Sequence, residues 1–157
     1  RSRQGDPQCS LEKGTKSWGV PVGEDRNATY RNVNKLLSEH PELQGIVCFG
    51  SESGPGVGRA LKENSQRRDI AVVAACPPNV CRDDIKSGYI KELLLWDPAD
   101  AGVLQTYIAS LVLQGRQDEI KPGMRVAGFG KPRIEGNTLI FNRPLLIMRD
   151  NVDNYNF

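Results

Sequence analysis

Three short apolar runs set the limits on what this chain can fold into: residues 45–49 (GIVCF), 70–75 (IAVVAA) and 90–96 (IKELLLW). Each is too short for a helix of its own and meets Gly, Pro or Asp within two residues of its end, so each reads as a strand. Helical patterns lie around them. Over 29–39 the apolar positions Tyr30, Val33, Leu36 and Leu37 fall on one helical face, with Asp25 or Asn27 available as cap and Pro41 closing the end. Residues 57–64 and 80–86 read as short helices. Pro98 sits where a helix can begin, and Leu104, Ile108, Leu111 and Val112 give that helix an apolar face running to Leu113 before Gly115 stops it. Strands alternating with helices predict an α/β fold with a parallel sheet covered on both faces, because parallel neighbours need crossover connections. Beyond Lys121 the pattern changes to short strands at 126–129, 137–141 and 145–148, a small β tail.

A chain of 157 residues, 38% of them hydrophobic, can bury one modest core. Lys and Arg number 21 against 19 Asp and Glu, with no block of like charge, which argues against nucleic acid as a partner. No apolar run approaches the roughly 18 residues of a membrane span, and the polar stretch 1–14 reads as a terminus without fold. The composition is that of a soluble protein. Cys9, Cys48, Cys76 and Cys81 are spaced too irregularly for a zinc ribbon or a disulfide-built mini-protein, so they read as buried or free thiols. A Cys76–Cys81 bridge across the intervening turn is the alternative if the chain is exported to an oxidising compartment.

Open α/β sheets bind ligands beyond the C-terminal ends of their strands, so the loops after Phe49, Ala75 and Leu95 are the places for a site. The first, 50–58, is rich in glycine. It lacks the Lys and Ser/Thr of a nucleotide-binding P-loop and does not match GxGxxG, so backbone contact to a small neutral polyol is favoured over a phosphate cradle. The second places four residues between Cys76 and Cys81, where thiol redox motifs place two, and reads as a stiff turn that starts a helix. The third offers Trp96, whose ring can pack on the C–H surface of a sugar, and Asp97, whose carboxylate accepts from hydroxyls. Asp97 is equally placed to cap the helix that Pro98 opens. No catalytic residue, metal site or cofactor is expected: His40 is the sole histidine and sits at a helix end, while Asp83 and Asp84, like Glu24 and Asp25, read as solvated or capping carboxylates.

The stretches GIVCFGSESGPGVGRALKE, PPNVCRDDIKSGYIKELLLWDPADAG and LIMRDNVDNYNF carry a resemblance. The PNV turn, the LWD after the third run and the closing DN-x-D-x-Y-x-F are its specific parts, and it covers residues 18–157. The chain resembles type I periplasmic binding proteins of ABC transporters, in the branch containing autoinducer-2 receptors and rhamnose-binding proteins. The resemblance implies two α/β lobes closing over a small sugar-like ligand, an ABC permease in the membrane as partner, and a periplasmic location. The part matched is the later half of the second lobe: a three-layer parallel-sheet lobe, incomplete, over 15–96, followed by a crossing helix and a hinge and β tail over 97–157. Carried over by position, Pro55 and Val57 match a loop that contacts autoinducer-2, and Trp96 and Asp97 match the ligand contacts after the third strand. Ala75 stands where sugar-binding relatives place a carboxylate, which removes one hydroxyl acceptor. An incomplete doubly wound lobe would leave a strand edge and an apolar helix face uncovered, so weak or no ligand binding, and pairing with a second copy or a missing partner segment, or domain exchange, are expected. The competing readings are the effector domain of a sugar-responsive transcriptional regulator, for which no helix-turn-helix is visible, and a flavodoxin-like enzyme with a cofactor on the glycine loop.

Overall fold

In the computed structural model, residues 19–157 are described. The polar stretch 1–14 and Cys9 lie outside them. Helix α1 (Arg26–Glu39) starts where the Asp25 carboxylate accepts from the amides of Asn27 and Ala28 at 2.8 and 2.9 Å, and it ends at His40, whose N–H donates to the Leu36 carbonyl. There follow β1 (Gly45–Phe49), α2 (Ser53–Glu63), β2 (Ala71–Ala75), α3 (Pro78–Lys86), β3 (Glu92–Leu95) and α4 (Pro98–Leu113). Strands β4 (Arg133–Glu135) and β5 (Thr138–Ile140) pair as an antiparallel hairpin. The hairpin turns through Gly136, whose φ of 57° favours glycine.

Strand β6 (Leu145–Ile147) returns to the main sheet, whose order is β1-β2-β3-β6. The first three strands are parallel and β6 runs antiparallel to β3, with Leu94 opposite Leu146. The C-terminal β tail is therefore partly an edge of the α/β sheet. Val126, expected to open a strand, instead makes an isolated bridge to Gly130 across a tight turn.

Alternation along the strands sends Cys48, Val72, Ala74, Leu93 and Ile147 to one face, where they join Val57, Ala60 and Leu61 of α2 and Cys81 and Ile85 of α3 in one buried cluster. The alternate residues face the other way and stay open: Phe49 is 84% exposed and Val47 63%, with Leu94 and Leu146 close to half. The expectation of a sheet covered on both faces is thus corrected. Among the described elements α1 packs on α2 and not on the bare face, and α4 buries only Leu104 and Leu111, leaving Val103, Val112 and Leu113 to solvent. Of the apolar face expected on α4, Val112 is not inside.

The glycine-rich segment is also different from its expected form. Helix α2 begins at Ser53, so Pro55 lies in the first turn, where an amide would have had no helical partner to lose. Residues 53–58 are all buried. Their glycines serve close packing: a Cβ on Gly54 would sit 2.7 Å from the Cys76 sulfur and 2.8 Å from that of Cys81. Those two cysteines are joined as a disulfide, which corrects the reading of both as thiols. One turn at the start of α3 brings Cys81 back to Cys76, and both are fully buried. Cys48, the free cysteine among the described residues, is buried, and burial pushes its thiol up to about 11, which leaves it protonated and unreactive at neutral pH. Asp84 departs from expectation too: it is buried, and its carboxylate meets the Lys62 ammonium at 2.6 Å.

Closing a loop this short by a disulfide restricts the unfolded chain by about 2 kcal/mol. The double variant Cys76→Ser/Cys81→Ser is expected to lose about that much in urea unfolding. An unchanged midpoint would mean that the pair does not constrain the chain.

Candidate ligand-binding site

Strand β3 stops at Leu95 because the next residues serve another purpose. Asp97 adopts an extended conformation and its carboxylate accepts from the amides of Ala99 (2.8 Å) and Asp100 (3.4 Å), capping α4, whose first residue is Pro98. Trp96 is left at the strand end, 63% exposed. Together they form one wall of a cavity of about 290 Å³. The first turns of α4 add Asp100 and Gln105, and the segment after β5 adds Phe141 and Arg143. The Arg143 guanidinium lies 3.6 Å from the Asp100 carboxylate, donates to the Gly128 carbonyl at 2.6 Å and sits 5.1 Å above the Phe129 ring. A second cavity of about 260 Å³ adjoins it, sharing Phe141 and Arg143 and lined further by Phe129, Lys131, Arg133 and Asn142.

Aromatic faces beside carboxylates, an amide and a guanidinium are suited to a small hydroxylated molecule: rings cover its C–H surface and the polar groups meet its hydroxyls. Of the residues singled out in the sequence, Trp96 and Asp97 line this cavity; Pro55 and Val57 do not. Both are buried within α2, and the Val57 side chain, 1% exposed, belongs to the core cluster and is not presented to a ligand. Asp100, Gln105, Phe141 and Arg143 were missed. Asp100 had a signal, since it stands three residues after Asp97 in the first helical turn and shares its side. Phe141 and Arg143 had none, because their approach depends on the path of the hairpin. Among the described residues no group of three or more His, Cys, Asp or Glu is placed to hold a metal ion, and no helix is long and apolar enough to cross a membrane.

The two roles of Asp97 separate by substitution. Asp97→Ala is expected to cost about 1 kcal/mol through the lost cap, while Asp97→Ser, itself a good cap, keeps most of that stability. Thermal unfolding of both variants checks this, and equal losses would count against the capping role.

Residues 5–117, more than half of the chain, match the family model described as the periplasmic binding protein domain. The chain belongs to the periplasmic binding protein family. Among solved structures, this family member is similar to a sugar ABC transporter protein from Actinomyces odontolyticus at 26% identity, with a TM-score of 0.74 over 88% of this chain and 45% of that one. It also shares its fold with LsrB from Clostridium saccharobutylicum in complex with AI-2 (18% identity, TM-score 0.70, 87% of this chain and 47% of that one). A third is an ABC transporter solute-binding protein from Clostridium phytofermentas with bound L-rhamnose (14% identity, TM-score 0.68, 84% and 46%). This periplasmic binding protein therefore spans a little under half the length of these three structures. Its α/β architecture is that of part of a type I lobe.

Proposed function

We propose that this chain is part of the solute-binding component of an ABC importer, acting in the periplasm, that takes up a small sugar-like molecule of the autoinducer-2 or rhamnose type and presents it to a membrane permease without chemical turnover. The observation that carries this reading is the cavity beyond β3, where Trp96 and Phe141 supply apolar faces next to Asp97, Asp100, Gln105 and Arg143. Membership of the family supports it, as do the sugar ABC transporter protein and the AI-2 and rhamnose complexes among the similar structures. Closure between two lobes normally supplies much of the burial of such a ligand, so the isolated chain binds weakly. Calorimetric titration with autoinducer-2, rhamnose and ribose tests the reading. Weak, saturable binding of one of them, lost in Trp96→Ala, is expected. No heat from any of the three would sink the ligand class.

The bare sheet face bears on partners. Parallel sheets are stable when both faces are covered, and here Val47, Phe49, Leu94 and Leu146 are not. The isolated chain accordingly pairs with a second copy or exchanges elements with it. Light scattering on the purified chain is expected to give a dimer mass; a stable monomer across concentrations would refute this.

A further inference from the structure

The two adjoining cavities differ sharply in charge. The first is lined by Asp97 and Asp100 against Arg143 alone. The second is lined by Lys131, Arg133 and Arg143, with no carboxylate in its wall. Resting on the sugar-binding reading above, we infer that the ligand of this chain is an anionic sugar: a hydroxylated carbon skeleton in the first cavity that carries an oxyanion, a carboxylate or a phosphate, into the second.

Two alternatives fit less well. A neutral sugar would use the carboxylates and rings of the first cavity but offer no charge to the cations that line the second. A simple inorganic anion would meet those cations but gain nothing from Trp96, Asp97 and Gln105. A molecule with both parts satisfies both walls, and the shared residues Phe141 and Arg143 join them. The existing partners of the cations are weak competitors. Arg133 pairs with Glu135 at 3.2 Å, but both side chains are more than half exposed, and such surface pairs hold little free energy. Lys131 has no ion-pair partner among the described residues. Arg143 already spans the junction: one guanidinium nitrogen meets Asp100 and another the Gly128 carbonyl. Its planar fork suits an oxyanion better than an ammonium would. Phe129, beneath Arg143, holds the guanidinium on the side of the second cavity.

The test is an amide-detected NMR titration of this chain with four probes: glucose, glucuronate, glucose 6-phosphate and inorganic phosphate. Glucuronate and glucose 6-phosphate are expected to bind about tenfold or more tighter than glucose and than phosphate alone, in line with a charge-assisted contact. The stronger of the two identifies the oxyanion as carboxylate or phosphate. Lys131→Gln/Arg133→Gln is expected to reduce the preference several-fold, the Arg143 guanidinium being retained. Both side chains lie on the surface, and the amide spectrum reports whether the variant remains folded. Raising the salt concentration provides a second measurement in the unaltered protein, weakening the charged sugars and not glucose. Equal affinity for glucose and its anionic forms, a preference undiminished in the double variant, or phosphate binding as tightly as glucose 6-phosphate would each overturn the inference. Glucose binding without any anionic preference would remove this inference and leave the sugar-binding reading standing; no response to any sugar would remove both.

Discussion

Gly56→Ala is expected to destabilise the chain by about 3 kcal/mol, although the same substitution in an open helix stabilises by about 1 kcal/mol. The reason is the distance between α1 and α2. A Cβ on Gly56 would lie 2.7 Å from the backbone carbonyl oxygen of Arg26 and 2.7 Å from the Thr29 Cβ, and neither can turn aside without moving α1. Thr29 is itself buried, its hydroxyl bound to the Asp25 carbonyl, and Val33 and Tyr30 of the same helix pack on the core. Overpacking outweighs helix propensity at this site. Gly58→Ala carries a related penalty, because its methyl would meet the Asp84 carboxylate at 2.4–2.6 Å while Lys62 holds that group in place. Gly102, inside α4 with nothing within 4 Å of a built Cβ, is the control. Gly102→Ala is expected to stabilise by about 0.5–1 kcal/mol. Urea unfolding of the three variants decides the matter: if Gly56→Ala stabilises as Gly102→Ala does, the close contact between α1 and α2 does not exist.

Those glycines also show where local sequence signals stop. Strand β1 and helix α4 lie where pattern and capping place them, because period, Pro98 and Asp97 are local instructions. The segment 50–58 reads as a loop because Gly and Pro ordinarily break helices, yet most of it is the first turns of α2. What overrides propensity is tertiary: α1 on one side, and the Cys76–Cys81 pair and Asp84 on the other, leave no room for side chains. Asp84 was misread for the same reason, since its partner Lys62 is on a different helix. The bare sheet face was not legible either, because apolar strands carry no mark of which face finds cover. Trp96 and Asp97 of the cavity wall could be read from the LWD motif. Phe141 and Arg143 arrive from far along the chain, on the segment that follows a hairpin whose first strand, β4, carries a single apolar residue, Ile134.

Arg82→Met is expected to release the C-terminal tail and to cost about 3 kcal/mol, with hydrogen exchange accelerated throughout 145–157. Arg82 stands on α3 and its guanidinium serves four acceptors: the carbonyls of Val152 (2.7 Å) and Tyr155 (2.7 Å), and the side chains of Asp153 (2.9 Å) and Asn79 (2.9 Å). The Asn79 amide donates to the Phe157 carbonyl, and Lys86 adds a second cation to Asp153 at 2.7 Å. This clamp seats Val152 wholly inside the core, with the Tyr155 and Phe157 rings packed against it, and so anchors the segment that leads out of β6. Methionine keeps the stem's bulk but leaves the part-buried Tyr155 carbonyl without its donor and the Val152 carbonyl with only the Tyr155 N–H, a loss of about 1–3 kcal/mol to which the contacts with Asp153 and Asn79 add. Arg82→Lys recovers less than half of the loss, because one ammonium cannot reach acceptors spread across a fork. Asp153 adds a pH signature. Hydrogen bonds from Lys86 and then Arg82 hold its carboxyl below the ordinary 3.8, so its contribution is complete above that value and fades as pH falls through the lower folded one. Acid is thus expected to loosen the tail below about pH 4, and Asp153→Asn to remove that dependence while leaving most of the neutral-pH stability, since Arg82 retains its backbone acceptors. Exchange rates in 145–157 that are unchanged by Arg82→Met would mean that β6 and the buried Val152 hold the tail by apolar contact alone.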